Sequence, residues 1–208
     1  MRGFPRLYAI VDRTTLDARG IAVADFAREL REAGVRLVQY RDKGYGPQEI
    51  LRAANQIDEA FEGAEVTRMM NDRADLAVLA GWDGVHVGQG DLGVEAARRV
   101  MGAGIVGIST HNEEQVRVAV EGAPDYVAVG PVFATASKAN PDPVVGLGSV
   151  RRARAMTELP IVAIGGITLA NARSVIDAGA DSVALIGGLL MEGRTVREVA
   201  RDFLEILG

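Results

Sequence analysis

The chain has 208 residues, 48% of them hydrophobic and 25% charged, with a formal net charge of -5 and no cysteine. That length fits one domain with a sizeable core, and the balance is ordinary for a globular protein. The negative charge argues against nucleic acid or an anionic membrane as the main partner, although it leaves room for a local basic pocket. The lack of cysteine excludes disulfides and thiolate chemistry. The N-terminus has no long apolar region or cleavage site of a signal peptide, and no apolar run is long enough to span a bilayer, so a cytoplasmic protein is expected.

Short β-branched runs alternate with amphipathic stretches along the chain. A first strand is predicted over residues 7–11, closed by Asp12 and Arg13. A helix follows over 23–33, with Phe26, Ala27, Leu30 and Ala33 on one face and Gly34 as its stop. The second strand covers 35–40 and leaves through Arg41, Asp42 and Lys43. Pro47 opens a helix that reaches residue 61. Strand 66–70, helix 74–80, strand 84–87 and helix 94–101 come next. The fifth strand, 105–108, ends at Ser109, Thr110 and His111, and a helix spans 112–120. After strand 126–129 a long loop occupies 130–146. Helix 149–156, strand 161–164, helix 169–178, strand 182–186 and helix 196–207 complete the chain.

This order of eight β/α units predicts a single-domain α/β fold over 1–208, a (β/α)8 TIM barrel. The strands are near-continuous apolar runs, as a parallel sheet buried on both faces requires. An open doubly wound sheet ranks lower, because the first six units show no switch in pattern.

In such a barrel the strands end at one mouth, and polar residues should collect there. Asn71 and Asp72 close the third strand; His86, Gln89 and Asp91 close the fourth. Asp72 and Asp91 thereby meet as two carboxylates beside an amide, a set that suits Mg2+. Each is equally suited to cap the helix that follows it. Gln39, Arg41 and Lys43 alternate, so an extended chain points them the same way, toward a phosphate or pyrophosphate; the other reading is solvated rim charge. The loop after the sixth strand carries Thr135, Ser137 and Lys138, and its length fits either a lid over a phosphorylated substrate or a flexible connection. Gly165–Gly166 and Gly187–Gly188 follow the last two strands, where this fold binds phosphate on backbone N–H groups. Ser109 has no His–Asp relay in sequence and reads as a hydrogen-bonding contact to a substrate ring. His86 reads as a satisfied core residue or a support for the acidic cluster, and His111 as part of a helix cap, with proton transfer as the alternative.

At this point the residues resemble a family. YAIVD (8–12), QYRDK (39–43), NDRADLA (71–77), DGVHVGQGDL (83–92), GIST (107–110), DYVAVGPVFATASK (125–138) and VAIGGI (162–167) are similar, in order and spacing, to thiamine-phosphate synthases. The resemblance implies a Mg2+-dependent transferase that joins hydroxymethylpyrimidine pyrophosphate to a thiazole phosphate. It implies that Gln39, Arg41, Lys43, Asn71 and Lys138 hold the pyrophosphate, that Asp72 and Asp91 hold one Mg2+, and that Ser109 meets the pyrimidine. Thr135, Ser137, Gly166, Ile186 and Gly187 would meet the thiazole phosphate. Ser109, Lys138 and Arg41 would act in the chemical step. The partners implied are small-molecule substrates, with a homodimer left open.

Three positions depart from the family pattern. Ser137 stands where Thr is commoner, Gly187 where many members have Ser, and Trp82 where a small residue is usual; Trp82 is expected on the outside near the third helix. The nearest rival is a related thiazole tautomerase, whose proton-transfer histidine would fall at His111, but whose pattern lacks the paired aspartates. Other phosphate-binding barrels, or a regulator that binds without turnover, are more distant alternatives.

Overall fold

The computed structural model describes residues 4–135 and 143–208. Eight strands close a parallel barrel in chain order: β1 Leu7–Asp12, β2 Leu37–Arg41, β3 Thr67–Asn71, β4 Gly84–Val87, β5 Ile105–Thr110, β6 Tyr126–Val129, β7 Ile161–Ile164 and β8 Ser182–Leu185. Closure runs through Leu7↔Val183 and Ala9↔Leu185. Helices α1 Arg13–Asp17, α2 Val23–Ala33, α3 Pro47–Ala60, α4 Ala74–Leu79, α5 Val94–Met101, α6 Glu113–Glu121, α7 Gly146–Met156, α8 Ala172–Asp177 and α9 Val196–Leu207 surround it. The expected (β/α)8 barrel is the fold found.

Two apolar layers hold it. One lies between strands and helices, where Val11, Leu30, Ile57 and Phe203 are buried together. The other fills the barrel itself, with Tyr8, Ile10, Leu37, Met69, Tyr126 and Val162. Inside the barrel large side chains face small ones, the only way to fill a ring at close packing. A Cβ on Gly107 would overlap the Tyr126 ring, and one on Gly84 would meet Met69 and Ile105. The glycines in these strands are therefore the space that the tyrosine and methionine occupy.

Several element ends differ from expectation. Helix α1 was not expected. Its five residues have no apolar face beyond buried Leu16, and it forms because Asp12 caps it, accepting from Thr15 N at 3.0 Å. Strand β2 starts at Leu37 rather than 35, because Val35 N–H is still held by Leu30 O as α2 unwinds through left-handed Gly34. Strand β5 continues to Thr110, which makes Ser109 a strand residue. Helix α8 begins at Ala172 instead of 169. Trp82 lies outside the barrel as expected but is not at the surface: it is 4% exposed, and its indole Nε1 donates to Asp58 of α3 at 3.1 Å. That carboxylate also receives Arg68 at 2.9 Å, so the large ring belongs to a packed junction with its polar edge satisfied.

Because Tyr126 is boxed in by Phe4, Tyr8 and His86, it has nowhere to retreat from a larger neighbour. Gly107→Ala should cost about 2 kcal/mol by overpacking, read as a lower urea midpoint with unchanged slope.

Candidate active site

The C-terminal mouth of the barrel opens into a cavity of about 740 Å³, within the range of small-molecule sites. Gln39, Arg41, Lys43, Asn71, Asp72, Asp91, Ser109, Thr135, Gly166, Ile186 and Gly187 all line it. Ser137 and Lys138 lie outside the described residues. The structure thus brings together every expected site residue it describes, drawn from strands far apart in sequence.

On one side the charged groups are already matched. Arg41 Nη1 donates to Asp12 Oδ1 at 2.6 Å, and Asp12 is only 3% exposed. Lys43 is ion-paired with Asp72. The loop that carries Lys43 is folded by Asp42, whose Oδ1 accepts from Gly44 N at 2.8 Å and Tyr45 N at 2.9 Å, while Tyr40 donates to its other oxygen at 2.9 Å. Tyr45 in turn reaches Asp17 at 3.1 Å and lies under the Arg13 guanidinium.

The capping reading of the two aspartates does not hold. Asp72 sits at φ 61, a left-handed backbone that is uncommon for a non-glycine residue, with its N–H on His86 O at 2.8 Å. Helix α4 begins after Arg73 with no side-chain cap, and α5 begins after Gly93, also uncapped. The two carboxyls instead lie within hydrogen-bonding reach of each other. Burial and the neighbouring Asp91 raise the pKa of Asp72 against the pull of Lys43. Burial also works against ionised Asp91, but bonds from the Asp72 carboxyl and from Gly88 N–H outweigh it and hold Asp91 low. Two carboxyls this close, with burial working against ionisation in both, mark a place where negative charge is in excess and a cation would relieve it. Among the described residues no group of three or more His, Cys, Asp or Glu side chains converges. Two carboxylates at an open mouth, with the remaining positions left to phosphate oxygens and water, fit Mg2+ better than a metal needing a full protein cage. Beside them Asn71 Nδ2 is buried with no hydrogen-bond partner among the described residues, a donor still owed an acceptor.

On the other side the backbone shapes the wall. Gly165 and Gly166 take φ 101 and φ 63, and a Cβ on either would strike the loop at Pro131, Phe133 and Ala134. That loop is fastened to the end of β7 by Val132 N–H to Ile164 O at 2.9 Å and Phe133 N–H to Gly165 O at 3.0 Å. These glycines are needed for backbone approach as much as for any ligand. Gly187 opens a single 3-10 turn, Gly187–Leu189, after Ile186.

The histidines differ in use. His111 gives its backbone N–H to Gln115 Oε1 at 2.7 Å, and Asn112 is the cap of α6, so the expected cap role falls on its backbone and its neighbour. Its ring Nδ1 lies 2.6 Å from Gly130 O. His86 is buried, with Nδ1 2.8 Å from Tyr126 Oη and Nε2 2.8 Å from Ser109 Oγ. Sequence reasoning missed Asp12, Tyr8 and Tyr126 as parts of the site. A strand-ending aspartate one strand away from an arginine was the only signal for the first; mid-strand tyrosines look like core.

A (β/α)8 barrel with carboxylates, cations and glycine-bounded loops around one mouth is the form of a phosphate-handling barrel enzyme. The thiamine monophosphate synthase family model matches residues 7–189. The thiamine-phosphate synthase of Koribacter versatilis is 53% identical over 206 residues, covering 98% of this chain and 96% of that protein. That of Methanoculleus marisnigri is 44% identical, covering 90% and 88%. Among solved structures, thiamine phosphate pyrophosphorylase from Pyrococcus furiosus superposes with a TM-score of 0.86 at 28% identity, covering 97% of this chain and 95% of that one. The chain belongs to the thiamine monophosphate synthase family, and with it to the transferases. Among the described residues no helix is long and apolar enough to cross a membrane.

The Asp12–Arg41 pair supports a direct test. Asp12→Asn keeps an oxygen to cap α1 but removes the charge facing Arg41, whereas Asp12→Ala removes both. The Ala variant should be less stable than the Asn variant by about 1 kcal/mol, the worth of a cap, read as a lower urea midpoint with unchanged slope.

Proposed function

We propose that the chain is a thiamine-phosphate synthase: it condenses 4-amino-2-methyl-5-hydroxymethylpyrimidine pyrophosphate with 4-methyl-5-(2-phosphooxyethyl)thiazole, giving thiamine phosphate and pyrophosphate. The observation that carries the reading is the convergence, in one cavity, of Arg41, Lys43, the Asn71 amide nitrogen with no partner among the described residues, and the Asp72/Asp91 pair on one side with Ser109 and the glycine-bounded loops on the other.

Arg41, Lys43, Asn71 and Lys138 hold the pyrophosphate, with Gln39 below them. Asp72 and Asp91 hold Mg2+, whose contribution when bound is to neutralise charge on the pyrophosphate oxygens. Ser109 orients the pyrimidine. Thr135, Ser137, Gly166, Ile186 and Gly187 receive the thiazole phosphate. The bond from the pyrimidine methylene carbon to the pyrophosphate oxygen breaks with its electron pair leaving on the pyrophosphate. The electron-rich aminopyrimidine carries the resulting positive charge, and the thiazole nitrogen lone pair forms the new carbon–nitrogen bond. No protein nucleophile is required; the chain supplies orientation and electrostatics. When the pyrophosphate arrives, Lys43 exchanges Asp72 for a phosphate oxygen, which frees the Asp72 carboxylate. Arg41, fixed by Asp12, stays in place. The paired carboxylates and the two cations favour this reading over the tautomerase, which has no pyrophosphate to bind.

Purified protein given both substrates should form thiamine phosphate, followed as thiochrome fluorescence, with Mg2+ and not after EDTA. Folded protein that makes no product under these conditions refutes the proposal. Asp72→Ala and Lys43→Ala should each lower kcat/KM by about 100-fold or more with unchanged circular dichroism. Near-normal turnover in either variant would remove that residue from the mechanism.

A further inference from the structure

A continuous hydrogen-bonded chain crosses the barrel beneath the cavity. Gln39 Nε2 donates to Tyr8 Oη at 2.8 Å, the Tyr8 and Tyr126 hydroxyls are 3.1 Å apart, and Tyr126 Oη is 2.8 Å from His86 Nδ1. His86 Nε2 then lies 2.8 Å from Ser109 Oγ. The links come from β2, β1, β6, β4 and β5 in turn. Everything before Ser109 is buried, and the His86 ring stacks on Tyr126 with centroids 5.5 Å apart.

The chain has a direction. An amide nitrogen only donates, so Tyr8 Oη accepts from Gln39 and its single proton goes to Tyr126. Tyr126, having accepted there, gives its own proton to His86 Nδ1, which must then carry a lone pair. Burial raises the pKa of both phenols above the ordinary value, so neither loses its proton near neutral pH. His86, with Nδ1 accepting from Tyr126, carries a proton on Nε2 and donates it to Ser109 Oγ. The proton of Ser109 is left for the cavity.

We propose that Tyr8, Tyr126 and His86 are positioning residues that set the polarity of Ser109: the chain fixes His86 as the Nε2–H imidazole and makes Ser109 a hydrogen-bond donor into the cavity, so that the site selects a heterocycle presenting an acceptor nitrogen there over one presenting N–H or C–H. The selection of a heterocycle rests on the substrate reading above; the direction of the chain does not.

Two measurements test the two parts. In ligand-free protein, long-range proton–nitrogen correlation NMR reads the His86 tautomer, with His86→Gln used to assign the signal. A proton-bearing Nε2 and a lone-pair Nδ1 are expected; an Nδ1–H tautomer or an imidazolium overturns the proposal. The Nδ1 resonance should move in Tyr126→Phe, which removes its donor, and stay in Tyr8→Phe, which leaves that donor; movement in both alike also overturns it. The second measurement is kcat/KM for the pyrimidine pyrophosphate against its two analogues in which one ring nitrogen is replaced by C–H. One analogue should be about tenfold poorer, the worth of one hydrogen bond to a neutral acceptor. That penalty should vanish in Ser109→Ala and shrink in Tyr126→Phe, with KM for the thiazole phosphate unchanged. A penalty that persists undiminished in Ser109→Ala refutes the polarity assignment. If wild-type protein turns over neither substrate, the function proposal fails, and the tautomer measurement still decides the chain.

Discussion

Parallel closure is the constraint on which everything else depends. Once Leu7 pairs with Val183, eight strand ends are forced to one side, and residues as distant as Asp12 and Arg41, or Tyr8 and Tyr126, become neighbours. A parallel sheet offers no alternative side for its exits, so the chain's polar residues are gathered at one mouth by topology before any side chain interacts. The interior must then be filled from all round the ring, and the alternation of Gly84 and Gly107 with Met69 and Tyr126 is how this chain fills it. The same packing that keeps the barrel shut also holds the buried phenols within reach of His86.

The charges at the mouth follow a second logic. A cation at an open mouth must be kept from collapsing onto the wrong partner. Arg41 is held by an aspartate that is buried behind it, a pair that is hard to separate. Lys43 is held by a half-open contact to Asp72, a pair that a ligand can exchange. The choice of residue matches: a rigid, always-charged guanidinium for the fixed position and a compact, flexible ammonium for the mobile one. Lysine occurs in the sequence only at 43 and 138, both assigned to the same ligand, while arginine supplies the remaining positive charge, much of it in surface ion pairs such as Arg117 with Glu114 and Glu121.

The fold was legible because its elements are local. Period and turn chemistry located every strand, and errors fell at ends where tertiary bonds decide: Val35 held back by Leu30, Thr110 drawn into β5, and α1 created by one carboxylate. The cavity-facing residues were legible too, since polar residues after strands have few other uses in this fold. What could not be read was pairing at a distance. Tyr8 and Tyr126 are 118 residues apart, and each alone looks like bulk. Trp82 looked like surface because the partner of its indole, Asp58, lies on another helix. Capping, the alternative reading of Asp72, failed for the converse reason: the local rule was satisfied in sequence, and the backbone at φ 61 overrode it.

That strained residue ties the two ends of the site together. The Asp72 N–H is bonded to the carbonyl of His86, so the carboxyl at the mouth and the imidazole beside Ser109 are joined across two strands by one backbone bond. A change that shifts the backbone at His86 is therefore carried to Asp72.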